Sequence, residues 1–80
     1  MNKEEIYNHL TDIIRQSLNT PSLMLTPNST VENTEGWGSL ENAMIITSIE
    51  QDYNIKFKLS ELLSWHTLDE LTDLIIKKTR

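Results

Sequence analysis

The stretch Glu35-Gly36-Trp37-Gly38-Ser39-Leu40, continued by Glu41-Asn42-Ala43-Met44-Ile45-Ile46-Thr47-Ser48-Ile49-Glu50-Gln51-Asp52, decides how this chain is organised. Two glycines release the backbone, and a helix-forming run from Ser39 to about Asp52 follows. Gly38 or Ser39 is the N-cap, glycine being only a few tenths of a kcal/mol poorer there than the better caps. Ser39 therefore begins the helix, beside exposed N–H groups and the positive end of the dipole. The run carries two apolar stripes. Ile45, Ile46, Ile49 and Tyr53 form a core face, and Leu40, Ala43, Met44 and Thr47 form a neighbouring one flanked by Glu41 and Glu50. A small domain has few elements with which to cover both. Either a loop lies over the second stripe or the stripe is a docking surface with Met44 as its adaptable member.

Upstream, Ile6, Leu10, Ile13, Ile14 and Leu18 make one helical stripe over about Lys3 to Leu18, with Glu4 and Glu5 at the favourable end of the dipole. Asn19-Thr20-Pro21 stops it, because the residue before proline is pushed out of the α region. Residues 19–38 are mostly Asn, Thr, Ser, Pro, Glu and Gly, a length without regular structure that a compact domain tolerates only if Leu23, Leu25, Val31 and Trp37 pin it down. Downstream, Tyr53 to Leu59 alternates like a strand. With no partner strand in prospect, it reads as an extended connector. Ser60-Glu61-Leu62-Leu63 reads as a short helix capped by Ser60. Thr67-Leu68-Asp69-Glu70 is a capping box opening a last helix with Leu68, Leu71, Leu74 and Ile75 inward and Lys77, Lys78 and Arg80 at its end. The expected fold is all-α: a bundle of three main helices plus one short one, with a long loop between the first two, as a single domain over residues 1–80.

Seven Lys and Arg stand against twelve Asp and Glu, and the net charge of −5 lies wholly between Gln16 and Ile55. An acidic chain lacks the clustered bases that nucleic acid requires, whereas its field suits basic partner surfaces. No cysteine is present, which excludes disulfides, thiolate catalysis and cysteine-held zinc. The longest apolar run, Ala43 to Ile46, is far short of a membrane span, and the charged start lacks a secretion signal. The expectation is a cytoplasmic monomer with no metal site.

Catalysis finds little support. A nucleophilic Ser39 would need a base, and the histidines are His9, among exposed positions of the first helix, and His66, a turn residue before the last. Gly36-Trp37-Gly38-Ser39 lacks the strand-turn-helix setting of a hydrolase elbow. The carboxylates are scattered rather than set at calcium-loop spacing. No catalytic residue is assigned.

Trp37-Gly38-Ser39-Leu40 followed by Ile45-Ile46-Thr47-Ser48-Ile49-Glu50-Gln51-Asp52-Tyr53-Asn54-Ile55-Lys56-Phe57 resembles the acyl carrier protein family, whose pattern is Asp-Ser-Leu heading a helix that ends in an apolar residue, Glu, two polar residues and an aromatic. The resemblance covers nearly the whole chain. Trp37, two residues before the serine, is similar to free-standing carriers of specialised biosynthesis.

The resemblance implies that Ser39 accepts 4'-phosphopantetheine from coenzyme A through a separate Mg-dependent phosphopantetheinyl transferase. The arm's thiol then holds an acyl or aminoacyl group as a thioester. Leu40, Glu41, Ala43, Met44, Thr47 and Glu50 match the face that the family presents to basic patches on loading and acceptor enzymes. Two positions depart from the pattern. Gly38 replaces the aspartate that the transferase reads, leaving open an unmodified carrier-like docking or regulatory subunit. Met44 replaces an often acidic residue, making the face greasier.

Overall fold

The computed structural model describes residues 2–80. Four helices form in the order α1 (Lys3–Ser17), α2 (Ser39–Tyr53), α3 (Leu59–Leu62) and α4 (Leu68–Thr79), and no strand is present among the described residues. The all-α expectation therefore holds, as does the extended connector between α2 and α3.

The α1 helix starts where the Asn2 side chain accepts the Glu5 N–H at 2.8 Å. It stops at Asn19, whose φ of 55° turns the chain left-handed, with the Thr20 N–H reaching back to the Arg15 carbonyl at 3.0 Å. Helix α2 ends in the same way at Asn54, φ 53°. Asparagine rather than glycine supplies both turns, since its short polar side chain tolerates this conformation.

Ile6, Leu10, Ile13 and Ile14 from α1, Ile45, Ile46 and Ile49 from α2, and Leu68, Leu71 and Ile75 from α4 close a single core, with Trp37 and Trp65 at its loop end. Tyr53 is only half-buried, at the margin of that core. The packing of α1 on both α2 and α4 explains why the strongest stripe in the sequence lies in α1.

The α3 helix starts at Leu59, so that its cap falls two residues before the expected Ser60. Its N-cap is Lys58, which has no accepting side chain. The cap is half a capping box: Glu61 reaches back to the Lys58 N–H at 2.7 Å. Lys78 from the end of α4 then grips both oxygens of Glu61 at 2.8 and 3.0 Å. The Lys58 N–H, with Lys78 behind it, holds the Glu61 carboxyl below its ordinary pKa.

The long loop is fastened at its middle. The Leu68 N–H donates to Ser29 O and the Asp69 N–H to Pro27 O, both at 3.0 Å, and Thr30 bridges Thr67. Leu23, Leu25 and Val31 pack on the core as anchors. At the far end Trp37 is 4 % exposed, and its ring lies 6.3 Å from that of Trp65. The loop does not cover the second stripe of α2, where Leu40 stays 69 % and Met44 45 % exposed. No helix is long and apolar enough to cross a membrane, and no group of side chains among the described residues is placed to hold a metal ion.

Candidate functional site

The loop turns into α2 through Gly36, whose φ of +85° is one that side chains other than glycine's rarely adopt. Gly38 is the N-cap, with φ −99° and ψ −169°, an extended conformation open to any residue. Having no side-chain oxygen, it gives the helix no side-chain cap. Half a capping box remains, in which Glu41 Oε1 accepts the Gly38 N–H at 3.2 Å. No protein group among the described residues accepts from the N–H of Ser39, Leu40 or Glu41; the first bond of the helix is Asn42 N–H to Gly38 O at 2.9 Å.

Ser39 is exposed at this open end. It shares an open groove of about 680 Å³ with Val31, Glu32, Thr34, Trp37 and Asn42. The Trp37 indole donates to Asn42 Oδ1 at 3.1 Å, so the buried tryptophan ties the loop to the first turn of α2 and fixes where Ser39 points from. This bond spans only five residues, yet nothing in the sequence announced it: Trp37 reads as an anchor, not as a clamp on the helix start.

The side chains grouped by sequence with Ser39 divide. Leu40, Ala43, Met44 and Thr47 are exposed along one face of α2, with Glu41 half-buried at its head. Glu50 does not stand free beside them. Its side chain is 18 % exposed, Oε2 accepts the Phe57 N–H at 2.8 Å, and Lys56 lies 3.9 Å away. Both acids that flank the stripe are thus tied to backbone N–H groups: Glu50 caps the connector beside Thr47, and Glu41 holds the Gly38 N–H near Ser39.

Neither histidine is set to activate the serine. His9 Nε2 meets Asp52 Oδ2 at 2.8 Å and packs edge-on to Tyr53 at 5.7 Å. That is the opposite end of α2, about 20 Å along its axis from Ser39 at 1.5 Å per residue. His66 donates its backbone N–H to Glu70 at 2.9 Å in the α4 cap.

An anion attached to Ser39 fits this end of the helix. Free N–H donors and the dipole face it, and the chain's own hydroxyl is accessible there. Glu41 opposes the fit, but it is already drawn onto the Gly38 N–H.

The family model for the phosphopantetheine attachment site matches residues 8–75. Among solved structures, a holo acyl carrier protein from Geobacter metallireducens superposes with a TM-score of 0.82 at 36 % identity, covering 90 % of this chain and 83 % of that one. No curated protein matches the sequence. With the matched span running from the middle of α1 into α4 and a relative of this identity sharing the fold, the chain belongs to the phosphopantetheine-attachment family and is a carrier of the acyl carrier protein type.

Proposed function

We propose that Ser39 is the residue to which the 4'-phosphopantetheine arm is joined, and that the loaded chain presents an acyl or aminoacyl thioester to separate biosynthetic enzymes in the cytoplasm. The observation that carries this is the open start of α2: an exposed hydroxyl beside the unpaired N–H groups of Ser39, Leu40 and Glu41.

In the joining step Ser39 Oγ forms a bond to the phosphorus of coenzyme A that bears the arm. The bond from that phosphorus to the adenosine half breaks, and the serine proton passes to a base supplied by the transferase. A phosphodiester anion remains on the chain, where the helix end stabilises it by about 0.3–1 kcal/mol. The arm supplies the thiol that this cysteine-free chain lacks. The chain performs no chemistry of its own.

The face formed by Leu40, Ala43, Met44 and Thr47, with Glu41 at its head, is the docking surface for the transferase and for loading and acceptor enzymes. These engage it through apolar patches with basic rims. With Met44 in place of an acid on this face, salt weakens docking only gently. The carrier works as a monomer.

Intact mass spectrometry after incubation with coenzyme A and a broad-specificity transferase tests the assignment. The expected result is one added arm on the wild type and none on Ser39→Ala, whose circular dichroism is unchanged. Addition of the arm to Ser39→Ala, or failure of the wild type under conditions where Gly38→Asp is also unmodified, contradicts it.

A further inference from the structure

Helix α2 carries its exposed serine on a first turn without a side-chain cap. The N–H groups of Ser39, Leu40 and Glu41 donate to no protein group among the described residues, and a helix end in this state frays. The half capping box adds little, because its Gly38 N–H to Glu41 Oε1 bond is exposed and 3.2 Å long. Fraying matters at this position. A hydroxyl misplaced by about 1 Å costs a transfer reaction on the order of 100-fold in rate.

The turn is held from the side instead. Trp37 is 4 % exposed, and its indole N–H donates to Asn42 Oδ1 at 3.1 Å. Asn42 stands three residues after Ser39, and its own N–H closes the first bond of the helix on Gly38 O at 2.9 Å. One residue thus joins the buried ring to the start of the coil. The tryptophan is itself seated: its backbone N–H donates to Thr34 O at 3.3 Å, and its ring packs 6.3 Å from that of Trp65, just before α4. Only one of the two packed rings makes such a tie, since the Trp65 indole nitrogen is buried with no partner among the described residues. Trp37, Ser39 and Asn42 line the same groove.

We propose that the Trp37–Asn42 bond stands in for the missing cap and is the positioning pair of the arm-joining reaction. It holds Ser39 Oγ in place while leaving the N–H groups beside it free for the incoming phosphate. This rests on Ser39 being the attachment point. Neither side chain touches the reacting atoms; both act by keeping the first turn wound. Cutting the bond lowers the fraction of chains with a wound turn, and the apparent affinity of an enzyme that binds only that form falls by the same fraction. The loss therefore lies in KM for the carrier, with kcat kept.

The test follows arm addition from coenzyme A by a broad-specificity transferase on the whole chain, read by intact mass. Asn42→Ala removes the acceptor. The expected result is a fall in kcat/KM of about tenfold, carried by KM, with the circular dichroism and the final count of one arm unchanged. Trp37→Phe keeps a ring against Trp65 but has no donor; it loses the same amount, and the double variant loses no more than either alone. Amide exchange at residues 42 and 43 quickens in Asn42→Ala. Adding Gly38→Asn, an uncharged end cap, slows that exchange again and brings KM back toward the wild-type value. Wild-type kinetics in Asn42→Ala, on a chain that takes one arm at Ser39, overturn the proposal and leave the attachment intact. Losses that multiply in the double variant, or protection regained without recovery of KM, overturn it as well.

Discussion

Two helices of this carrier begin in opposite ways. At the start of α4 the orphan donors are taken up inside the molecule: Leu68 N–H by Ser29 O, Asp69 N–H by Pro27 O and Glu70 N–H by Thr67 Oγ1. At the start of α2 the same three positions, Ser39, Leu40 and Glu41, donate to no protein group among the described residues, and the cap is a glycine. One end fastens the long loop. The other stays open. The first is built for stability and the second leaves a modest stabilisation unrealised, which the arm proposed for Ser39 would recover.

Helix α2 repeats the contrast from end to end, and Glu50→Ala breaks it most severely. Removing the carboxylate strands the Phe57 N–H, and the loss of a charged hydrogen bond lowers stability by about 1.5–3 kcal/mol. Urea unfolding measures this. Docking to a partner enzyme by the folded protein changes little.

Thr67→Ala opens the closed end of α4. The Glu70 N–H loses its acceptor, and stability falls by about 1 kcal/mol, which thermal unfolding reads as roughly 4–8 °C in a domain of this size. The loop around Ser29 exchanges its amide protons faster in the same variant.

Acid opens that end more gradually. The backbone N–H groups of Thr67 and His66 hold the Glu70 carboxyl below its ordinary pKa, as the Lys58 N–H does for Glu61. A depressed folded pKa contributes stability that is fully present above the unfolded value of about 4.5 and is lost as pH falls through the folded value. Stability titrations should therefore decline below about pH 4.5, and Glu70→Gln should flatten that decline.

Gly38→Asp closes the open end and has the smallest effect. The backbone accepts the residue, and its Cβ meets only the tip of the Glu41 side chain at 2.9 Å, which can swing aside. A side-chain cap replaces the Glu41 bond, and stability rises by no more than a few tenths of a kcal/mol in chemical unfolding.

The sequence made visible what is encoded locally. The stripes of α1, α2 and α4 and the Thr67–Glu70 box depend on residues within a few positions of each other, and they stand where periodicity places them. The start of α3 was misplaced because its capping oxygen comes from Glu61, three residues inside the helix, while Lys58 carries no capping signal. The fastening of the loop was illegible for a different reason: backbone carbonyls of Pro27 and Ser29 do the accepting, and every residue has one. Ser39, the proposed attachment point, stands out in the sequence because glycines and a helix start frame it. The role of Glu50 does not, since its Phe57 contact depends on the left-handed turn at Asn54. The unpaired indole of Trp65 likewise exists only once the loops have packed.

The contrast between the two helix ends is tested most directly by the backbone amide resonances of residues 39–41 and 68–70, recorded before and after one arm has been added. The amides of Ser39, Leu40 and Glu41 should move as they begin donating to the phosphodiester, while those of Leu68, Asp69 and Glu70 stay fixed. If the modified chain leaves the first three unmoved, or disturbs the second three as much, the open end of α2 is not where the arm is held.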